Sequence, residues 1–281
     1  MQKQTYELDL TTQGPLYPPS EVMDEDGNFI VIGAINRPTA EGGCETRWGR
    51  AIVSANSAVP PFGCMAPYEI VESFDDPIPG HIAGKVLHTL PLPLPCTNYP
   101  MLFAPEQYPH AISDSRPSFA FHEVPIPDLR PEHGRQLQGP VTLADWTRAR
   151  GELTVELVEN RRAGRFSFLF EGLLPRSLYT IMSLRKHDLN PTGPTRPGPL
   201  GVPNVFVTNY KGAAQYDVVL PNPFPSPDTA GANRIVNVVV LWMSDQMSHG
   251  GAIGRYGLGG DIHAQLKFRK PMFDDFITTQ A

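Results

Sequence analysis

Residues 152–171, ELTVELVENRRAGRFSFLFE, decide the fold class of this chain. Apolar and polar residues alternate through the first part of the stretch, and phenylalanines alternate in the same way at positions 166, 168 and 170. A repeat of two residues is that of a β-strand with one buried face. The segment between the two runs begins at Asn160 and ends at Gly164, residues that favour a turn. The stretch therefore predicts an antiparallel β-hairpin.

Strand patterns continue on both sides of this hairpin. Residues 235–243 are apolar on both faces except at Asn237, which predicts a central strand covered on both sides. Residues 262–269 alternate strictly, which places His263 on a polar face with Lys267 and Arg269. The other strands are predicted at residues 29–35, 51–55, 68–71, 85–90 and 178–184, with a second hairpin of residues 204–208 and 215–220 around Lys211-Gly212.

Proline and glycine separate these strands. The 31 prolines and 25 glycines are about a fifth of the 281 residues, against a usual ~12%. Such a chain forms short strands joined by many ordered loops, and the longest predicted loop covers residues 91–118. Thr142 and Asp145 have the spacing of a capping box. They predict a short helix from Leu143 to Arg150, which Gly151 ends.

These elements predict an all-β fold, namely an antiparallel β-sandwich or jelly-roll-like barrel with long Pro/Gly-rich loops and one short helix. Residues 126–281 hold the most regular strands and are predicted to form a C-terminal β-sandwich domain. Residues 1–125 form an N-terminal β-rich portion, either packed into the same domain or separate from it. Residues 125–140 are the candidate linker.

Charge and hydropathy exclude several classes of partner. The net charge is −6 and the sequence pI is about 5.7, without a basic run that would bind a phosphate backbone, so no nucleic-acid partner is expected. No apolar run approaches the ~20 residues of a membrane span. The first ten residues lack a signal-peptide core. The protein is therefore expected to be cytoplasmic, or secreted or periplasmic if a signal was removed. Its oligomeric state stays open.

The cysteines leave two alternatives. Cys44, Cys64 and Cys96 match no zinc-binding spacing. Cys44 and Cys64 both lie in glycine-containing loop sequence and could pair. The alternative is three unpaired thiols, and an odd count argues against a complete disulfide framework.

Several short segments of residues 140–270 form a recognisable set: Val141–Trp146, Gly172–Pro175, Leu178–Thr180, Gly201–Phe206, Ser244-Asp245, His249–Gly251 and His263–Leu266. In these segments the chain resembles a group of exported bacterial β-sandwich proteins for which no function is established. The resemblance implies a β-sandwich and export, and it implies no chemistry. This chain departs from the group where Met182 and Ser183 stand near a position that often holds tryptophan.

The segment 242–263 is the strongest candidate for a functional site. It joins two predicted strands, so its ends should lie close together and bring imidazole and carboxylate groups into one place. The predicted catalytic residues are Asp245, His249 and His263, which would donate or accept protons. The predicted metal ligands are His249, Asp261 and His263, a set that suits one divalent ion such as zinc, iron or manganese.

Each of these residues also has a structural interpretation. A histidine on a polar strand face, as predicted for His263, needs no function, and Asp245 and Asp261 could simply form turns. His187 and Asp188 follow another strand and would add a ligand if the strand ends are neighbours. No Gly-x-Ser-x-Gly motif, phosphate-binding loop or nucleotide fingerprint is present.

The leading functional prediction is binding of a small, largely apolar molecule in a β-sandwich or barrel pocket, in a protein of low charge with long ordered loops. Its catalytic version is a cofactor-independent cyclase or isomerase. The first alternative is a metal-dependent enzyme that uses the histidine and aspartate cluster. The second is a structural or adhesive module of an exported protein.

Overall fold

The computed structural model describes residues 2–98, 108–127, 137, 139–189 and 197–279. Their fold is all-β, as predicted, and three four-residue helices accompany the strands: α1 (Gly80–Ala83), α2 (Leu143–Trp146) and α3 (Lys186–Leu189). The strands are β1 (Lys3–Glu7), β2 (Asp9–Leu10), β3 (Phe29–Pro38), β4 (Cys44–Val53), β5 (Ile70–Ser73), β6 (Arg150–Val158), β7 (Ala163–Glu171), β8 (Leu178–Arg185), β9 (Gly198–Pro199), β10 (Val205–Val207), β11 (Ala214–Pro221), β12 (Ile235–Met243) and β13 (Ile262–Lys267).

The strands form three antiparallel sheets. The first has the order β1-β6-β7-β11, and it contains the predicted hairpin as β6 and β7. The second has the order β10-β8-β12-β13-β2, with β9 paired to β8. The third has the order β3-β4-β5. All strand pairs are antiparallel, which is the arrangement expected from short strands with turns between them.

The first two sheets pack face to face as a sandwich. Phe170 of β7 stacks on Phe206 of β10 with ring centroids 4.8 Å apart, and Phe206 stacks on Tyr179 of β8 at 5.4 Å. Burying each such ring contributes about 2 kcal/mol to the stability of the folded state. Both sheets supply residues to one hydrophobic core, which includes Leu153, Val155, Phe166, Phe168, Ile181, Val238, Val240, Trp242 and Leu266.

The N-terminal residues contribute strands to both sheets of this sandwich. Strand β1 pairs with β6, and β2 pairs with β13. In the third sheet, Ile30 and Ile32 face the sandwich core, whereas Phe29 and Val31 form a second core with Tyr17. A domain boundary between residues 125 and 126 stays a prediction, but strands from both sides of it share two sheets.

Strands β12 and β13, which are neighbours inside the second sheet, are covered on both faces. All nine residues of β12 are buried, as predicted. The prediction of a solvated polar face for residues 262–269 is wrong, because His263 and Gln265 are fully buried and β13 ends at Lys267. Gln265 accepts a hydrogen bond from Tyr179 (2.8 Å) and donates one to the Trp146 carbonyl (3.0 Å). His263 and Gln265 can be buried here because hydrogen-bond partners are available inside the protein.

The prediction of a second hairpin around Lys211-Gly212 is also wrong. The chain does reverse there, since Gly212 donates to the Asn209 carbonyl over 3.0 Å. However, β10 pairs with β8 and β11 pairs with β7, so the two strands lie in opposite sheets. Phe206 and Tyr216 are each buried on the inner face of a different sheet. Burial of both rings accounts for the separation.

Two other predictions require correction. The capping box at Thr142 and Asp145 is present, but the helix ends at Trp146 rather than at Arg150. Residues 85–90 do not form a strand; His88 makes isolated bridges with Met23 and Ala120. Of the predicted loop 91–118, residues 99–107 lie outside the described residues, as do 128–136 and 138 of the candidate linker.

The three cysteines are unpaired: Cys44 is half-buried in β4, Cys64 is exposed and Cys96 is buried. Pairing of Cys44 with Cys64 therefore does not occur in this structure. Within the described part of the chain, none of the helices has the length and apolarity needed to cross a membrane.

Candidate functional site

The predicted site lies where β12 ends and β13 begins. These neighbouring antiparallel strands are joined by residues 244–261, and the Ser244 amide donates to the Asp261 carbonyl over 2.8 Å. The two ends of the segment are thus held together by the sheet. Asp245 and Asp261, sixteen positions apart in sequence, approach each other for this reason.

Asp245 is positioned by a local turn and holds His249. One carboxylate oxygen accepts a hydrogen bond from the Met247 amide (3.1 Å), and the other lies 2.9 Å from His249 Nε2. Both side chains are about nine-tenths buried, with 6% of His249 and 10% of Asp245 exposed. The carboxylate therefore fixes the orientation of the imidazole ring.

Asp261 is held from the other side of the loop. The Tyr256 amide donates to Asp261 Oδ2 over 2.6 Å. Gly254 adopts φ +75°, and a Cβ at that position would lie 2.9 Å from the same oxygen. A glycine is needed there both for the backbone conformation and for the close approach. The loop sequence, rather than the strand, thus determines where this carboxylate points.

Arg116 completes the cluster, and the sequence analysis missed it. Its Nη1 lies 3.0 Å from the Gly260 carbonyl oxygen and 3.5 Å from Asp261 Oδ1. The guanidinium packs between the rings of Phe119 (5.2 Å) and Tyr256 (4.7 Å). Arg116 belongs to the predicted long loop 91–118, but no local pattern distinguishes it, because Gly260 and Asp261, to which its guanidinium binds, lie more than 100 residues away. We call Arg116, Asp245, His249 and Asp261 the ionic cluster.

The charges of the ionic cluster alter its titration. Burial lowers the pKa of His249, but the hydrogen bond to Asp245 and the charges of both aspartates outweigh burial, so the pKa lies above its ordinary value. Burial and the charge of Asp245 raise the pKa of Asp261 to about 6, against the opposing effects of the Tyr256 amide and Arg116. The two carboxylates repel each other, and Asp261 keeps its proton to a higher pH than an exposed aspartate.

Three members of the ionic cluster could hold a metal ion. One ligand atom from each of Asp245, His249 and Asp261 lies within 4.8 Å of the others, and no other group of three such residues occurs in the described part of the chain. Two of the three, His249 and Asp261, are predicted metal ligands. Asp245 was predicted only as a catalytic residue.

Comparison of the chain with protein-family models, with curated proteins and with solved structures finds no match. The likeness of residues 140–270 to exported bacterial β-sandwich proteins stays a prediction.

His263 does not join the ionic cluster. Its Nδ1 donates to the Glu21 carbonyl (2.7 Å), and its Nε2 lies 3.1 Å from Ser244 Oγ. The ring is fully buried between Phe121 (4.7 Å) and Trp242 (5.4 Å). Burial lowers the pKa of His263 to about 3, so it is neutral at physiological pH. Its predicted roles in catalysis and metal binding receive no support from this placement, and its interpretation as a surface histidine is wrong.

His187 and Asp188 also lie outside the group of candidate ligands. They belong to α3, where His187 is exposed and Asp188 accepts a hydrogen bond from the Arg185 amide over 2.7 Å. This is the turn-forming role of an aspartate.

Proposed function

We propose that this protein is a metal-dependent enzyme whose divalent ion is held by Asp245, His249 and Asp261. The observation that carries the proposal is the convergence of one imidazole and two carboxylates, with ligand atoms within 4.8 Å of one another. Such a donor set suits zinc, manganese or iron.

The scaffold around these ligands supports the proposal. Asp245 directly follows β12 and Asp261 directly precedes β13, so both are anchored to a fully buried strand pair. Sites attached to rigid elements hold their ligands more precisely than sites on free loops. Three protein ligands leave a coordination position for water or substrate, which is the arrangement of catalytic rather than structural zinc sites.

The charges of the cluster support the same conclusion. Two carboxylates are buried together, and Arg116 reaches only one of them, at 3.5 Å from Asp261. A divalent cation between Asp245 and Asp261 would relieve their repulsion. It would also replace the direct contact of His249 Nε2 with Asp245, since both atoms would then bind the ion.

Calorimetric titration of chelator-treated protein with Zn²⁺, and separately with Mn²⁺, tests the proposal. We expect one site per chain, and a loss of affinity of at least about tenfold in Asp261→Asn and in His249→Ala. The matched controls are Asp228→Asn and His81→Ala, which change exposed residues outside the cluster. Absence of binding to the parent protein, or equal binding by all variants, contradicts the proposal.

A second candidate function uses the same residues without metal. The 2.9 Å contact between Asp245 and His249 is that of a histidine oriented by a carboxylate for general acid–base work. This arrangement would suit a cofactor-independent cyclase or isomerase. Protein that takes up no ion in the titration, but whose activity on a substrate is abolished by His249→Ala, would favour it.

A further inference from the structure

A cavity of about 620 Å³ lies apart from the ionic cluster. It is half open to solvent and is bordered by residues near α2 and by two loops, 172–176 and 210–211, and none of its described lining residues belongs to the ionic cluster. Its volume is within the ~300–1,000 Å³ of small-molecule sites. Its apolar lining residues include Leu137, Pro140 and Pro175, whereas Val141, Leu173 and Leu174 lie behind them in the hydrophobic core.

The two loops that border the cavity are fastened to each other. Leu173 donates to the Gly212 carbonyl (3.0 Å), and Arg176 donates through its backbone to the Asn209 carbonyl (3.1 Å). Gly212 adopts φ +74°, and a Cβ there would lie 2.0 Å from the Leu173 carbonyl oxygen. These two loops are therefore held together before any ligand arrives, which reduces the entropy cost of binding.

Cations predominate among the charged residues of the cavity. Among the described residues, Arg148, Arg176 and Lys211 line it, and Asp145 is the one acidic residue. Asp145 lies 3.3 Å from Arg148, so it offsets that charge and leaves the other two. The chain as a whole has 29 acidic and 23 basic residues. The cavity thus has the opposite sign of charge from the molecule as a whole.

An aromatic side chain stands beside these cations. Tyr210 lines the cavity and is 67% exposed, and the Lys211 ammonium lies 5.5 Å from its ring. An exposed ring next to free positive charge can stack on a flat apolar body while the cations bind an anionic group.

We propose that this cavity binds a small organic anion with a flat apolar body and one carboxylate. The apolar body would contact Tyr210, Leu137 and the rings of Pro140 and Pro175, and the carboxylate would pair with Arg176 and Lys211. The proposal is independent of the metal site, because the two sites share no residue.

Calorimetric titration with 2-naphthoate, compared with its neutral analogue 2-naphthamide, tests the proposal on the full chain. We expect 2-naphthoate to bind one to one with a Kd of about 1 mM or tighter. The amide should bind more weakly, because it lacks the charge. Failure of 2-naphthoate to bind at several times that concentration, or equal affinity for both compounds, overturns the proposal.

Two variants locate the binding. Arg176→Gln/Lys211→Gln should weaken 2-naphthoate binding about tenfold and leave the amide nearly unchanged. The matched control, Arg47→Gln/Lys270→Gln, removes the same charge from exposed residues outside the cavity and should change binding less than about twofold. An equal loss in the control would mean that the overall field, rather than the cavity, attracts the anion, and it would overturn the proposal.

A cavity-filling variant tests the apolar part. Gly139 lines the cavity, and a Cβ built there meets no atom within 4 Å. Gly139→Phe should therefore fold normally, which its thermal unfolding will show, and should reduce binding of both compounds at least about tenfold. Unchanged binding in a folded Gly139→Phe protein would place the ligand elsewhere.

Discussion

Two histidines of the same segment, His249 and His263, have opposite environments. His249 lies against Asp245 at 2.9 Å, and its pKa is raised. His263 lies between aromatic rings and donates to a backbone carbonyl, and its pKa is lowered to about 3. The residues are fourteen positions apart; His249 lies in the loop between β12 and β13, and His263 lies in β13. The comparison teaches that nearby charge, not residue type or burial alone, decides whether a buried histidine is available for proton chemistry.

The largest expected difference between the two histidines is in stability, and removing each imidazole ring tests it. We expect His263→Ala to lower the free energy of unfolding by about 4 kcal/mol, because it empties a ring-sized space and leaves the buried Glu21 carbonyl without its hydrogen-bond donor. His249→Ala should cost about 1.5 kcal/mol, since Asp245 keeps the hydrogen bond from the Met247 amide. Urea denaturation of both variants measures the difference. Equal costs would show that the two environments are not distinct.

The second prediction concerns how the free energy of unfolding changes with pH. The folded pKa of His263 is about 3 and its ordinary value is 6.5, so the unfolded chain takes up a proton first as pH falls. The stability that neutral His263 provides is complete above pH 6.5 and is lost as pH falls from 6.5 towards 3. Between pH 7 and pH 5 this amounts to about 2 kcal/mol.

Because other buried groups titrate in the same range, the measurement compares the parent protein with His263→Gln. The parent protein should lose about 2 kcal/mol more than the variant between pH 7 and pH 5. Urea unfolding at several pH values gives both profiles. Parallel profiles would show that His263 is not held neutral.

The third and smallest effect concerns the neighbour of His249. Asp245→Asn removes the charge that raises the pKa of His249, so that pKa should fall, whereas the pKa of His263 should not change. The loss of stability should be about 1 kcal/mol, since Asn keeps the size and one hydrogen-bond acceptor. Titration of the histidine ring signals by NMR measures both pKa values. A His249 pKa that stays raised would assign the shift to Asp261 rather than to Asp245.

Part of this arrangement could be predicted from the sequence. The alternation in residues 152–171 predicted β6 and β7, and the Thr142–Asp145 spacing predicted the start of α2. These features depend on residues that are close in sequence. The convergence of Asp245, His249 and Asp261 was expected because neighbouring strands bring the ends of their connecting loop together, but His263, which was expected to join them, does not.

The errors arose where distant segments decide the outcome. The alternation of residues 262–269 is real, but residues from the N-terminal segment, from α2 and from β8 satisfy its polar side chains inside the protein. In the same way, Asn209 and Gly212 do form a turn, but the sandwich places the following strand in the other sheet. A local pattern cannot reveal which segment covers it.

The class of fold, the positions of most strands and the segment that holds the candidate ligands follow from the amino-acid order, because hydrophobic periodicity, turns and helix capping act over a few residues. The burial of His263, the contact of Arg116 with Asp261, and the position of Arg176 and Lys211 around one cavity follow from the packing of distant segments. Burial and charge act through space, between residues that the chain order does not place side by side.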